Sequence, residues 1–122
     1  MVEFALVAGV IFIPMVFGVI EFGRLVWAKN MVTSAAREGV RYAIVHGSSS
    51  GSTADSSAVA TYVIGRTKLS PIVVKPSWTG SKDPGKDTVT VSVSYVYVPI
   101  VKVPGLLTNK TVTGTSKQII AF

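Results

Sequence analysis

The chain has no cysteine and one histidine, His46. The first absence excludes disulfides, thiolate metal sites, iron–sulfur clusters and cysteine nucleophiles. The second leaves no histidine-based metal site or proton relay within one chain. Charge is also scarce. Charged residues make up 15% of the 122 positions, where soluble domains run at about a quarter. Acidic residues are scarcest: six Asp/Glu face twelve Lys/Arg, a net charge of +6. The hydrophobic fraction is 48% and the mean hydropathy +0.51. Such a composition excludes a chain disordered throughout. The length fits one core and has no room for two sizeable ones.

The missing charge is concentrated in one place. From Phe4 to Ile20, seventeen consecutive residues carry none, FALVAGVIFIPMVFGVI. As a helix this run is roughly 25 Å long at about 1.5 Å per residue. A bilayer core needs about 20 residues, with a lower limit near 17. A secretory signal peptide would place positive charge before the apolar run. Here Glu3 precedes it, and Arg24 and Lys29 follow it. A buried core helix is disfavoured because too little chain remains to cover it all round.

Beyond Ile20 the pattern becomes one-sided. Leu25, Ala28, Val32, Ala35, Ala36, Val40 and Ala43 recur at steps of three and four, one face of a helix. Glu21 with Arg24, and Glu38 with Arg41, have the spacing of surface ion pairs. Gly47 opens a Ser/Gly run that ends the pattern. One helix is therefore expected over residues 2–46, roughly 65 Å long. Its first half belongs in lipid or among sister helices, and its second half packs one face on a small domain. Pro14 lies inside the apolar half. Proline removes a helical hydrogen bond there, and implies either a kink or a segment that loses helical structure when repacked.

The remainder reads as a small α+β unit. GSSSGSTADSS at 47–57 is a connector by composition. Asp55 or Thr53 has the chemistry to cap a second helix over about 55–69, ended by Pro71. A short strand is expected at 72–75, closed or edged by Pro76. The clearest strand is 88–98, where Val89, Val91, Val93, Tyr95 and Tyr97 alternate with Thr and Ser. A last strand is expected at 110–121. The fold class is thus α+β: a long N-terminal helix packed on a small antiparallel sheet of about three strands. The expected division is an apolar membrane or fibre-core helix at 1–23 and a small domain at 24–122.

Catalytic patterns are weak, and no enzyme activity, cofactor or metal is expected. Gly80 to Lys86, GSKDPGK, has the glycine and lysine spacing of a phosphate-binding loop. The next position is Asp87 instead of a hydroxyl residue, and a strand follows instead of a helix. Asp83 and Asp87 are too few for a calcium ion that takes six to eight oxygens. His46 suits a helix C-terminus as a dipole partner. The lysines are dispersed over strands and turns, without the basic and aromatic interleaving of a nucleic-acid groove, so nucleic acid is not favoured as a partner. Glu3 stands out. A carboxylate at the start of an apolar helix gains from the dipole, and in an assembly it would pair with an amine, its own or a neighbour's.

The ordered set VEFAL, FG-x-x-EFGR-x-x-W-A at 17–28 and SAAREGVRYA-x-V-H-G at 34–47 closely resembles the N-terminal region of TadE-like proteins. These are pseudopilins of the tight-adherence branch of type IV pili. VTVSVSY at 89–95 after a DPG turn resembles their C-terminal half, with 48–80 the loosest part of the resemblance. The resemblance implies a pilin-like fold and a subunit anchored in the inner membrane before assembly. It further implies processing by a prepilin peptidase and extraction by a secretion-ATPase machine into an extracellular pilus. Glu3 would neutralise an amine during assembly. Phe4, Leu6, Val7, Val10, Ile11, Phe12, Ile13, Pro14, Phe17 and Ile20 would form the fibre core of a homo-oligomeric helical filament. Glutamate is fifth after the cut in the type IV pattern and third here; a basic leader ahead of the chain would also reconcile the charge order with the positive-inside trend. Two alternatives accompany this reading. One is a minor pseudopilin that primes or tips a fibre of another protein. The other is a single-pass anchored module whose domain binds DNA or a surface polymer.

Overall fold

The structure is a computed structural model that describes residues 1–105 and 107–122. Helix α1 spans Val2–Val45 and is continuous through Pro14. Its C-terminal residue is followed by His46, whose Nδ1 lies 2.8 Å from the Tyr42 carbonyl oxygen and whose ring stacks on Tyr42 at 4.2 Å. Helix α2, Ser56–Arg66, is capped by Asp55, which accepts the Ala58 N–H at 2.8 Å. Of the two expected capping residues it is therefore Asp55 that acts, and α2 ends three residues before the expected Leu69.

Three strands follow: β1 Ile72–Trp78, β2 Thr88–Tyr97 and β3 Lys110–Ile119. They form one antiparallel sheet in the order β1-β2-β3. Strand β1 runs three residues past the expected stop at Lys75. Pro76 sits inside it, opposite Val91. The strand tolerates it because β1 is an edge, and an edge strand has one side free of ladder hydrogen bonds.

The core lies where the second half of α1 crosses the sheet. Ala28, Val32, Ala35, Ala36, Val40 and Ala43 are buried, with Leu25 partly buried against them. They meet Val89, Val91 and Val93 of β2, Val112 of β3 and Val59 and Val63 of α2. The stripe expected from the sequence is thus the face that packs. It is built of small residues, so the backbones approach closely. A methyl group at Gly114 of β3 would lie 2.6 Å from the main-chain atoms of Val32 and Thr33. One at Gly39 would lie 2.8 Å from a Val63 methyl. The expected architecture, a long helix on a three-stranded antiparallel sheet in a pilin-like α+β arrangement, is the one found.

Candidate functional site

The first five turns of α1 leave the domain behind. None of the apolar window of this helix is buried. Phe4 is 78% exposed and Ile20 still 47%. Leu6, Val7, Val10, Ile11, Phe12, Ile13 and Phe17 are exposed between them, as is Pro14. All ten expected fibre-core residues therefore lie on one free rod, distributed around its whole circumference. Ala5 and Gly9 sit between Val2, Leu6, Val10, Ile13 and Pro14 and leave a shallow apolar groove along one side. Glu3 lies in the first turn, exposed.

The consequence is visible in the total surface. The chain exposes 8021 Å². A compact protein of 12.9 kDa exposes about 6,300 Å². The excess, roughly 1,700 Å² on that scale, is what a protruding helix adds. It exceeds the ~800 Å² per partner of a standard protein interface.

Where the rod enters the domain stands Glu21, 8% exposed. Sequence spacing predicts a surface pair with Arg24. That pair exists at 3.5 Å, but it is a minor part of the arrangement. The Tyr97 hydroxyl at the end of β2 donates to Glu21 Oε2 and also approaches the Glu21 carbonyl oxygen at 3.3 Å. The Ile100 and Val101 N–H groups both donate to Oε1, the latter at 3.3 Å. Arg24 lies over the Tyr97 ring, 5.4 Å from its centre. Burial chiefly, and then the hydrogen bond to Glu21, push the Tyr97 phenol above its ordinary value of 10.0. Glu21 thus ties the start of the β2–β3 connection to the helix. Sequence reasoning missed it, although one signal was present. Extending the buried stripe from Leu25 back by four residues lands on Glu21, the one acid in that register.

The second expected pair is absent. Among the described residues Glu21–Arg24 is the single ion pair. Glu38 and Arg41 instead line an open groove with Arg37 and Lys117. At the far end of the domain, Asp87 accepts the Asp83 N–H at 3.0 Å. It closes the 79–87 turn rather than pointing outward with Asp83 as a cation pair would.

Residues 1–41 match the family of TadE-like proteins. The match ends at Arg41, inside α1, so it covers the rod, Glu21 and most of the packing stripe. The resemblance of the sheet strands to TadE-like proteins lies outside it. No curated protein and no solved structure matches the chain. The TadE-like family is pilus-associated and is not a family of enzymes.

Proposed function

We propose that this chain is a structural subunit that polymerises through its N-terminal helix into an extracellular type IV pilus-like filament serving surface attachment. Before assembly the helix holds the subunit in the inner membrane as a single span. The observation that carries the reading is the charge-free rod of α1, apolar on every side and wholly uncovered. Water is a poor surrounding for it: each large apolar side chain left exposed forgoes roughly 1.5–3 kcal/mol. Two surroundings satisfy it, lipid and a bundle of identical rods, and the subunit passes from one to the other. Since lipid already removes the side chains from water, the bundle competes only through dense packing. The Ala5–Gly9 groove offers a place for a neighbour's side chains. Extraction from the bilayer falls to a secretion-ATPase machine, and maturation to a prepilin peptidase, as in the relatives that the sequence resembles.

Glu3 sets the axial register in this reading. Among rods it faces a low-dielectric surrounding where an unpaired carboxylate is costly, and a neighbour's terminal amine relieves that cost at one axial offset. Imaging the sheared extracellular fraction by cryo-electron microscopy tests the proposal. Filaments built of this chain, with residues 4–20 at the axis, are expected. Filaments of another chain, with this one left in the membrane fraction, would instead assign it to initiation. Glu3→Ala is expected to abolish or slow assembly while the subunit stays inserted; wild-type filament yield would defeat the register role.

A further inference from the structure

We propose that the connection between β2 and β3 is a second membrane contact, which dips its apolar side chains into an anionic lipid surface beside the helix. This rests on the reading of α1 as a membrane span and adds to it a defined seating of the domain on the bilayer. The segment VPIVKVPG, Val98 to Gly105, is far more apolar than a solvent loop needs to be. Ile100 is 63% exposed, and Val98 and Val103 are also exposed. The position of these side chains gives them meaning. Glu21 holds the Ile100 and Val101 amides, one residue beyond the end of the charge-free run. Phe22, 68% exposed, continues the helix surface at that level. An apolar cleft of about 220 Å³ between Phe22, Pro99 and Leu107 joins the two surfaces. The apolar surface of the rod therefore widens, at the base of the domain, from one element to two.

Charge favours lipid as the occupant over a second copy of the domain. From Thr88 to Phe122 the chain has no acidic residue. Lys102 lies within the apolar segment and Lys110 beyond it, and Arg24 stands beside its root, where it pairs with Glu21. Asp55, Asp83 and Asp87 lie near the opposite end, where the 82–87 turn meets Ser48 and Ile120. An apolar patch with lysines in and beside it, whose one carboxylate is buried and already hydrogen-bonded, matches an interface of acyl chains beneath anionic headgroups. A basic base meeting a second basic base would repel. The Ile100 and Val101 N–H bonds to Glu21, with Tyr97 just ahead of them, hold the segment there; without them a free loop would swing into water.

The cysteine-free chain makes the test direct. Single variants Phe12→Cys, Ile100→Cys and Ser49→Cys each carry one environment-sensitive fluorophore, on the full chain reconstituted into vesicles of phosphatidylethanolamine and phosphatidylglycerol. Ser49 is the distant control, since Glu21 and His46 are separated by roughly 37 Å of helix. Lipid carrying a nitroxide just below the headgroup is the quencher. The expected result is several-fold quenching and a blue shift at Ile100, no change at Ser49, and weaker quenching at Ile100 when phosphatidylglycerol is omitted. A label at Phe12 that is shielded in lipid, with one at Ile100 as bright as at Ser49, would overturn the inference and leave the span intact. A label at Phe12 in water would remove the span and the inference together. A blue shift at Ile100 that grows with protein density but is indifferent to the nitroxide lipid would assign the patch to a second copy, and so refute the lipid contact.

Discussion

Replacing Gly114 with alanine tests whether the helix and sheet meet as closely as the core requires. The added methyl would lie 2.6 Å from the Val32 carbonyl carbon and oxygen and from the Thr33 nitrogen. Carbon atoms rest at about 3.5–4.0 Å, so β3 must withdraw from α1 by roughly 1 Å. The atoms it meets are main chain in mid-helix and cannot rotate aside. A gap of that size forfeits a quarter to a half of each dispersion contact it opens, and the contacts affected include the buried residues Val32, Ala36 and Val112. Overpacking of this kind costs about 1–3 kcal/mol and sometimes more. Alanine's advantage over glycine in a regular element returns about 0.5–1 kcal/mol. Because the clash is with main chain, the upper end of that cost applies; a net loss of about 2 kcal/mol is expected, which for a domain of this size lowers Tm by about 8–14 °C. The assay is denaturant or thermal unfolding of the full chain in detergent micelles, followed through the sheet signal because the apolar rod stays helical in a micelle. Gly39→Ala is the comparison. Its methyl meets the Val63 and Val91 side chains at 2.8 and 3.0 Å, which have some freedom to shift, and alanine is the better helix former by about 1 kcal/mol. Gly114→Ala within about 0.5 kcal/mol of the parent, or less harmful than Gly39→Ala, would refute the close approach.

Two further outcomes follow from the groups that titrate. Because the folded chain holds the Tyr97 phenol above 10.0, the phenol's contribution is complete below that pH and is lost as pH rises through the folded value. The stability difference between the parent and Tyr97→Phe should therefore shrink above pH 10.0, and a difference constant from neutral to alkaline pH would contradict the burial of this hydroxyl. Asp55 is shifted the other way, below its ordinary 3.8, by the Ala58 N–H and then the Ser57 hydroxyl. Its contribution is present above 3.8 and fades as pH falls through the lower folded value. Asp55→Ala should weaken α2 at neutral pH and Asp55→Asn should not, because asparagine caps as well as aspartate. Equal loss in both variants, read by amide exchange in α2, would mean that charge rather than capping is at work.

The arrangement around Glu21 also bears on how a rod can be pulled from lipid without disturbing the domain it carries. The rod and the domain share one continuous helix, so axial force reaches the core directly. Resistance comes from the α1–sheet face and from the carboxylate that binds β2 and the following segment to the helix. In the proposed passage from bilayer to filament, the subunit would lose the lipid contact of Ile100 and Val103, while the hydrogen bonds of Glu21 would travel with it. The same segment would then be free to meet a neighbouring subunit.

Local pattern determined much of this protein. The charge-free run, the three-and-four spacing from Leu25 to Ala43 and the alternation from Val89 to Tyr97 each reflect a period that one element satisfies alone. They establish the long helix, its change of surroundings near residue 21, and the central strand. The uncovered apolar rod was also legible, because a helix without a polar face identifies itself. Tertiary structure decided the rest. Pro76 is tolerated because β1 is an edge, and edge position is a property of strand order. Gly39 and Gly114 are required by what lies opposite them. Glu21 reads locally as half of a surface pair with Arg24, yet its main partners are 76 to 80 residues away. A carboxylate's role depends on which donors surround it, and the chain brings those donors to it only when it folds.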